Sequence, residues 1–298
     1  MRGRPGVARR EHGMRPFLAI FNGLSRALCV VALVMIGTTL LVRFAPGYLS
    51  DAREMDARYA GAAKQELSLV ESQSRSPLGM VASEFSTWLR GSGGISRQYG
   101  VPVLELIGPR LAVTGGLLLR ALGLSWLLAI AAALLSSSGR RPLFLWQIPS
   151  TLLLVIPTAA LATVCLIAGF GGPVLVMVLC LAARDFKFLH STLRNAWLEP
   201  HTLHAGSLGV PAARILVAHI VPAVAPQLGA LASLSIVTAL SALVPVEVIF
   251  NVPGLGQLAW NAALNRDLPV LLAATMIMAL AVMLAGTTKL QTDNWRNA

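Results

Sequence analysis

Residues 111–135 carry a single charged side chain, Arg120, in a run otherwise built from Leu, Ala, Gly, Val and a few other uncharged residues. A run that long is too apolar for a solvated helix and too long for a strand, whereas about 20 such residues cross a bilayer as an α-helix. The pattern recurs. Residues 27–42 are uncharged and reach spanning length with 17–25 ahead of them, and further apolar runs occupy 143–170, 174–183, 229–250 and 268–285. The run at 174–183 is short and is extended through Arg184-Asp185-Phe186-Lys187-Phe188 toward Leu193. Composition agrees, with 55% hydrophobic and only 12% charged residues and a mean hydropathy of +0.69, against about 25% charged in soluble proteins. The expectation is an all-α membrane protein with six transmembrane helices.

The net charge of +11 would suggest nucleic acid in a soluble chain, but here the bases flank apolar runs and read as topology signals, so no nucleic-acid partner is expected. Arg2, Arg4, Arg9, Arg10 and Arg15 stand against one acid, Glu11, in residues 1–16. The positive-inside rule keeps such an end in the cytoplasm. Arg140, Arg141, Arg184, Lys187, Arg194, Arg214, Lys289 and Arg296 fall on inner segments of a six-span layout, while the outer 251–267 turn has only Arg266. The chain then divides into a tail and helix start at 1–26, a first span at 27–42, an extracytoplasmic segment at 43–110, and a core at 111–298 with five further spans. Both termini are expected in the cytoplasm. Val42-Arg43-Phe44-Ala45-Pro46 has no small-x-small pattern, so cleavage as a signal peptide is not expected. The 43–110 segment holds Asp51, Glu54, Asp56, Glu66, Glu71, Glu84 and Glu105 of the thirteen acids, and long mixed-charge loops translocate largely regardless of charge.

Between the fourth and fifth runs lies a polar, small-residue interlude, 199–228. Ala205 and Gly209 are four apart, so if 202–209 is helical they share a face without side-chain bulk, suited to docking. Val210-Pro211 should end that helix. Leu203-His204-Ala205, then Gly209, then His219-Ile220-Val221-Pro222 resembles the cytoplasmic "EAA, three residues, Gly, nine residues, Ile-x-Leu-Pro" loop of ABC importer permeases. Ala205, Gly209 and Pro222 match by type, whereas Leu203 stands where that family has Glu. The resemblance implies a short coupling helix within a coupling loop, 199–222, that fits into a groove on a separate ATPase subunit, with Leu203, His204, Ala205, Gly209, Pro211 and Pro222 as the coupling residues. An ordinary interhelical loop with a proline turn is the plainer reading.

Other phrases resemble the dipeptide, oligopeptide and nickel branch of the same permeases. They are Phe44-Ala45-Pro46-Gly47, Gly100-Val101-Pro102-Val103 followed by Arg110 and Thr114, and the stretch from Val244-Pro245 through Glu247 to Pro253-Gly254-Leu255-Gly256, which fits "E-x-x-F-x-x-P-G-L-G". Asn265-Arg266-Asp267-Leu268-Pro269-Val270 is another. The matches run from residue 44 to residue 270. In that branch the external segment helps receive a substrate-binding protein; a solvated loop without a specific partner is the alternative.

Charges inside apolar runs are costly and mark cavities or partners. Arg120 therefore lines a water-filled path, or else snorkels or pairs within the bundle. Glu247 caps a turn, pairs with Arg120 or Arg266, or meets a cationic group of the cargo. Pro245 joins Arg120 and Glu247 as a candidate for the path. Pro253, Gly254, Leu255 and Gly256 form an outer turn or gate, because Pro-Gly forces a turn and glycine admits close approach. A short helix at 258–264 follows, with Trp260 as an interfacial anchor. Pro149 and Pro157 are expected to break the third span. Arg184 beside Asp185 reads as an interfacial charge pair of little worth.

No Gly-x-x-x-x-Gly-Lys-Ser/Thr phosphate loop is present, and no Ser or His sits in a nucleophile's strand-turn-helix context. His201 and His204 lie three apart without a third ligand nearby. Cys29, Cys165 and Cys180 lie in apolar segments as packing residues. No catalytic residue and no metal site is expected.

The sequence thus reads as the permease subunit of an ATP-driven importer for short peptides or similar small solutes, multi-pass in a bacterial inner membrane. Its partners would be a second permease, two ATPase subunits and an extracytoplasmic binding protein. The chain itself would bind no cofactor, with ATP and Mg held by the ATPases. A secondary transporter would show repeats and interrupted helices in corresponding positions, and a transport-inactive scaffold is the other alternative.

Overall fold

The computed structural model describes residues 8–44, 79, 82, 85–88, 91, 93–137 and 144–294. Ala45-Pro46-Gly47, the acids Asp51, Glu54, Asp56, Glu66, Glu71 and Glu84, and the bases Arg140, Arg141 and Arg296 lie outside the described residues. Among the described residues the regular elements are helical, with one isolated bridge between Ile95 and Pro102.

The helices are α1 (Ala8–Phe44), α2 (Val103–Ser137), α3 (Phe144–Val155), α4 (Thr158–Ile167), α5 (Pro173–Trp197), α6 (Pro200–Ser207), α7 (Ala212–Ile215), α8 (Val221–Ile249), α9 (Leu255–Leu264) and α10 (Leu268–Asn294). A π-helical segment, Leu216–Ile220, joins α7 to α8. Proline at 222 has no N–H to give residue 218 and its ring clashes there. The wider π turn directly ahead of it makes that room.

Among the described residues four stretches are long and apolar enough to cross a membrane: Ser25–Val42, Val103–Ser136, Ala212–Ile249 and Leu268–Gly286. The pair α3 and α4 makes a fifth if counted as one span, but it bends by 101° between Val155 and Thr158. The third run is therefore broken as expected, although only at Pro157. Pro149 lies inside α3 without interrupting it. The fourth run is one continuous helix, α5, set apart from those spans by the charges it carries through its middle, Arg184, Asp185 and Lys187.

Two compact units divide the chain, 1–103 with 262–283 and 104–261 with 284–298. In the first, Met35 and Val42 of α1 pack with Leu268 and Leu272 of α10, with Trp88 at the edge of the cluster. Asp267 just ahead of α10 is fully buried and knots the 93–102 segment. Its carboxylate accepts from the Ser96 hydroxyl at 2.5 Å and from the backbone N–H groups of Arg97 and Gln98 at 3.2 and 3.1 Å. A Cβ on Gly94, whose φ is +80°, would stand 3.2 Å from Pro269.

In the second unit the core joins Ala129, Ala132 and Ala133 of α2 to Phe186, Leu189, Leu193 and Ala196 of α5. Ile215, Ile220, Val224 and Leu231 complete it. Small residues on α2 let the larger side chains of α5 seat between them, which is how apolar helices approach closely in lipid.

Candidate functional site

The 199–222 loop is built on the C-terminal end of α5. Pro200 opens α6 where its missing N–H costs nothing, and Thr202, 2% exposed, ties the helix down. Its hydroxyl lies 2.7 to 3.1 Å from the carbonyls of Glu199, Ala196 and Trp197. Ala205 and Val210 pack against the core of the unit, while Leu203 and Leu208 are 56% and 70% exposed and His201, His204 and Gly209 also face outward. The loop therefore presents one anchored side and one free ridge.

Gly209 differs from the sequence expectation. The helix ends at Ser207, so Gly209 does not share a helical face with Ala205; it closes the helix, with φ +77°. Its N–H bonds the Gly206 carbonyl at 3.0 Å and the Val210 N–H bonds that of Ala205 at 3.3 Å, the paired bonds of a left-handed C-cap. A Cβ there would meet nothing within 4 Å. The glycine is required within this chain by backbone conformation, since an L-residue in that region costs about 1–2 kcal/mol. Pro211 caps the N-terminus of α7 and Pro222 is the second residue of α8.

Glu247 is 0% exposed and serves two helices at once. Its backbone carbonyl accepts from Val252 N–H at 2.8 Å, closing α8 around Asn251 at φ 51°. Its side chain then opens α9. Oε2 accepts from the N–H groups of Gly256 and Gln257 at 2.7 and 3.1 Å, and Oε1 accepts from the Thr114 hydroxyl at 2.7 Å. Thr114 in turn accepts from Leu255 N–H at 2.7 Å. Three N–H groups that a helix start leaves unpaired are thus satisfied, two by the Glu247 carboxyl group and one by the Thr114 hydroxyl.

The Pro-Gly-Leu-Gly phrase follows from this geometry. A Cβ on Gly254 would lie 2.1 Å from Glu247 Oε1, and one on Gly256 would lie 3.0 Å from Oε2 and from the Val244 Cα. Leu255 is 1% exposed and Pro253 is exposed. Arg110 donates to Gln257 Oε1 at 3.2 Å, and Gln257 donates to Asn251 Oδ1 at 2.5 Å, so α2 contributes Arg110 and Thr114 to the same turn. Of the alternatives for Glu247, the capping one is observed. Arg120 instead donates from Nε to the Gly116 carbonyl of its own helix at 2.8 Å and is exposed. Pro245 lies within α8, half-buried. Trp260 on α9 is 48% exposed.

Arg184 and Asp185 correct another expectation. They are no surface pair: Asp185 is 0% and Arg184 only 22% exposed, at 3.1 Å. The guanidinium also donates to Thr238 and, at 3.3 Å, to Ser235, and the Ser235 hydroxyl donates to Asp185 Oδ1 at 2.8 Å. Asp185 Oδ2 and Arg184 Nε are buried without a partner. Breaking such a pair from one side costs about 3–5 kcal/mol, whereas replacing both members by apolar groups is often neutral. Hydropathy missed this cluster because Ser235 and Thr238 lie 50 and more residues away in sequence. One turn beyond, His190 Nδ1 meets the Ser136 hydroxyl at 3.2 Å. His201 pairs with Glu199 at 3.3 Å, both exposed.

Long apolar helices, a bent helical pair and buried charges held between helices define a multi-pass membrane protein. The chain belongs to the family described as the binding-protein-dependent transport system inner membrane component, whose match covers residues 122–288, more than half of the 298. It is similar to the metal-staphylopine import system permease protein CntB of Staphylococcus aureus, at 25% identity over 227 residues, 68% of this chain and 73% of the relative. It is also similar to the oligopeptide transport system permease protein OppB of Escherichia coli, at 30% identity over 118 residues, 36% of this chain and 38% of that relative.

Proposed function

We infer that this chain is the path-forming subunit of an ATP-driven importer for short peptides or similar small solutes. Six spans, with α3 and α4 together as the third and α5 as the fourth, would leave both termini on one side of a bacterial inner membrane, the cytoplasmic side by the basic residues of the N-terminal segment. The carrying observation is the free ridge of α6, whose Leu203, His204 and Leu208 face outward while Ala205, Val210 and Thr202 hold the loop to the core. Exposed leucines beside a terminated helix fit a groove on another protein. Two ATPase subunits, holding ATP and Mg, would take the ridges of this chain and of a second permease. An extracytoplasmic binding protein would deliver cargo. The path is assigned to α8 and its neighbours, with Arg120 as its exposed charge. Peptide cargo rests on the likeness to OppB, and a chelated metal, by the likeness to CntB, is the neighbouring possibility. A transport-inactive scaffold is the second reading, favoured by Leu203 standing exposed at the acid's position.

The experiment is co-expression with the ATPases, second permease and binding protein of the same importer. The ATPases should co-purify with the unaltered chain and be lost with Gly209→Arg, while membrane insertion persists. Tri-alanine uptake should stop on ATP depletion in the unaltered complex. Normal ATPase stoichiometry with the Gly209→Arg chain, or labelling of a cysteine at 204 from outside intact cells, sinks the docking role.

A further inference from the structure

We propose that Arg184 is a positioning residue that locks α5 to α8, so that a stroke entering through the 199–222 loop moves both helices as one body; this rests on the importer reading above. The loop leaves α5 at one end and enters α8 at the other, so any push on α6 reaches both helices. From the loop up to Phe186 and Leu231 their contact is apolar, with Phe186, Leu189, Leu193, Ile220, Val224 and Leu231 in one core. Apolar ridges hold helices together but permit small sliding between packed positions.

The polar cluster is different in kind. Thr238 lies 18 residues beyond Ile220, about 27 Å along α8. There the Arg184 guanidinium reaches Thr238 and Ser235 while holding Asp185 at 3.1 Å, and Ser235 closes the ring to Asp185 Oδ1 at 2.8 Å. Directional bonds in a planar fork fix axial register, because a slide breaks the bonds to Thr238 and Ser235 and leaves the guanidinium only Asp185 of its own helix. The cluster is also not what stability alone would select. Asp185 Oδ2 and Arg184 Nε stay buried and unpartnered, a cost that an apolar pair of the same volume would avoid. A costly, directional contact far from the loop suits a part that transmits motion.

The test is independent of cargo. Spin labels are placed at Ser191→Cys on α5 and Ser241→Cys on α8, both exposed positions, in a full-length chain whose Cys29, Cys165 and Cys180 are replaced by alanine. The assembled complex in nanodiscs is measured nucleotide-free and after trapping with ATP and vanadate. The expected result is an unchanged distance between the two states for the unaltered chain. Arg184→Met should show a change of about 5 Å on trapping, the length of one helical turn. Thr238→Val, which removes an acceptor and leaves the charge pair in place, should give a smaller change and serves if Arg184→Met fails to assemble.

A distance that changes between states in the unaltered chain, or one that stays fixed in Arg184→Met and Thr238→Val alike, overturns the lock. Failure of any ATPase to join the complex overturns the importer reading instead. The lock is then judged on the chain alone in nanodiscs, where Arg184→Met must broaden the distance distribution and an unchanged width overturns it.

Discussion

Glu247 and Asp185 are both carboxylates with no exposed surface in a chain that has few acids to spare, yet they are treated in opposite ways. Each oxygen of Glu247 has a donor, two of the three donors being backbone N–H groups of the helix it starts. Asp185 faces side chains only, and one of its oxygens has no partner. The first carboxylate is part of the backbone's own accounting, so removing it leaves N–H groups of the turn unpaired. The second belongs to a contact between two helices that would be helical anyway. Burial alone does not separate a structural acid from one retained for another purpose; the identity of its donors does.

That contrast is exposed to experiment, and the largest effect belongs to Gly254→Ala. Its Cβ would occupy the place of Glu247 Oε1, 2.1 Å away, so the cap must open, at a cost on the order of 4 kcal/mol. Thermal unfolding in detergent and the amount of chain surviving in membranes should both register it. Glu247→Leu leaves the N–H groups of Gly256 and Gln257 and the Thr114 hydroxyl without an acceptor, and a loss of about 2 kcal/mol or more in the same melt is expected. Were that variant as stable as the parent, the capping account would be wrong.

Gly209→Ala probes a cap made without any carboxylate and should cost about 1–2 kcal/mol. Gly209→Asn, which tolerates the left-handed region, should cost only a few tenths of a kcal/mol. Equal losses in ATPase co-purification for the two would point to side-chain bulk instead of backbone conformation. The joint change Arg184→Met with Asp185→Leu should leave the melt within about 1 kcal/mol of the parent. A drop as large as that of Gly254→Ala would erase the distinction drawn above. Smallest is Arg120→Gln, within about 0.5 kcal/mol, because the guanidinium serves only its own helix among the bonds that define it.

Much of the helical layout was legible because apolar runs report length directly. The run at 111–135 became α2, and the one at 268–285 became the start of α10. Residues 174–193 were less legible, since hydropathy counts Arg184 and Asp185 as surface while the fold turns them toward α8. The phrase around Glu247 could be recognised, but not its chemistry, because Thr114 lies 133 residues earlier. Gly209 was legible as a needed glycine for a reason that proved local: four-residue spacing from Ala205 reads as one face of a helix or as the distance from a C3 position to its cap, and the sequence does not say which. Asp267 and Ser96, 171 residues apart, gave no signal of their bond.

The stretch from Ala212 to Ile249 counts 38 residues, about 57 Å if straight, whereas the hydrocarbon it would cross is about 30 Å thick. Such a rod overhangs its bearing by nearly its own bearing length. Like an oar in a rowlock, it turns a modest push on the overhanging end into a tilt of everything beyond the pivot, and the π turn at Leu216–Ile220 lies on the handle side, next to where the push would be applied.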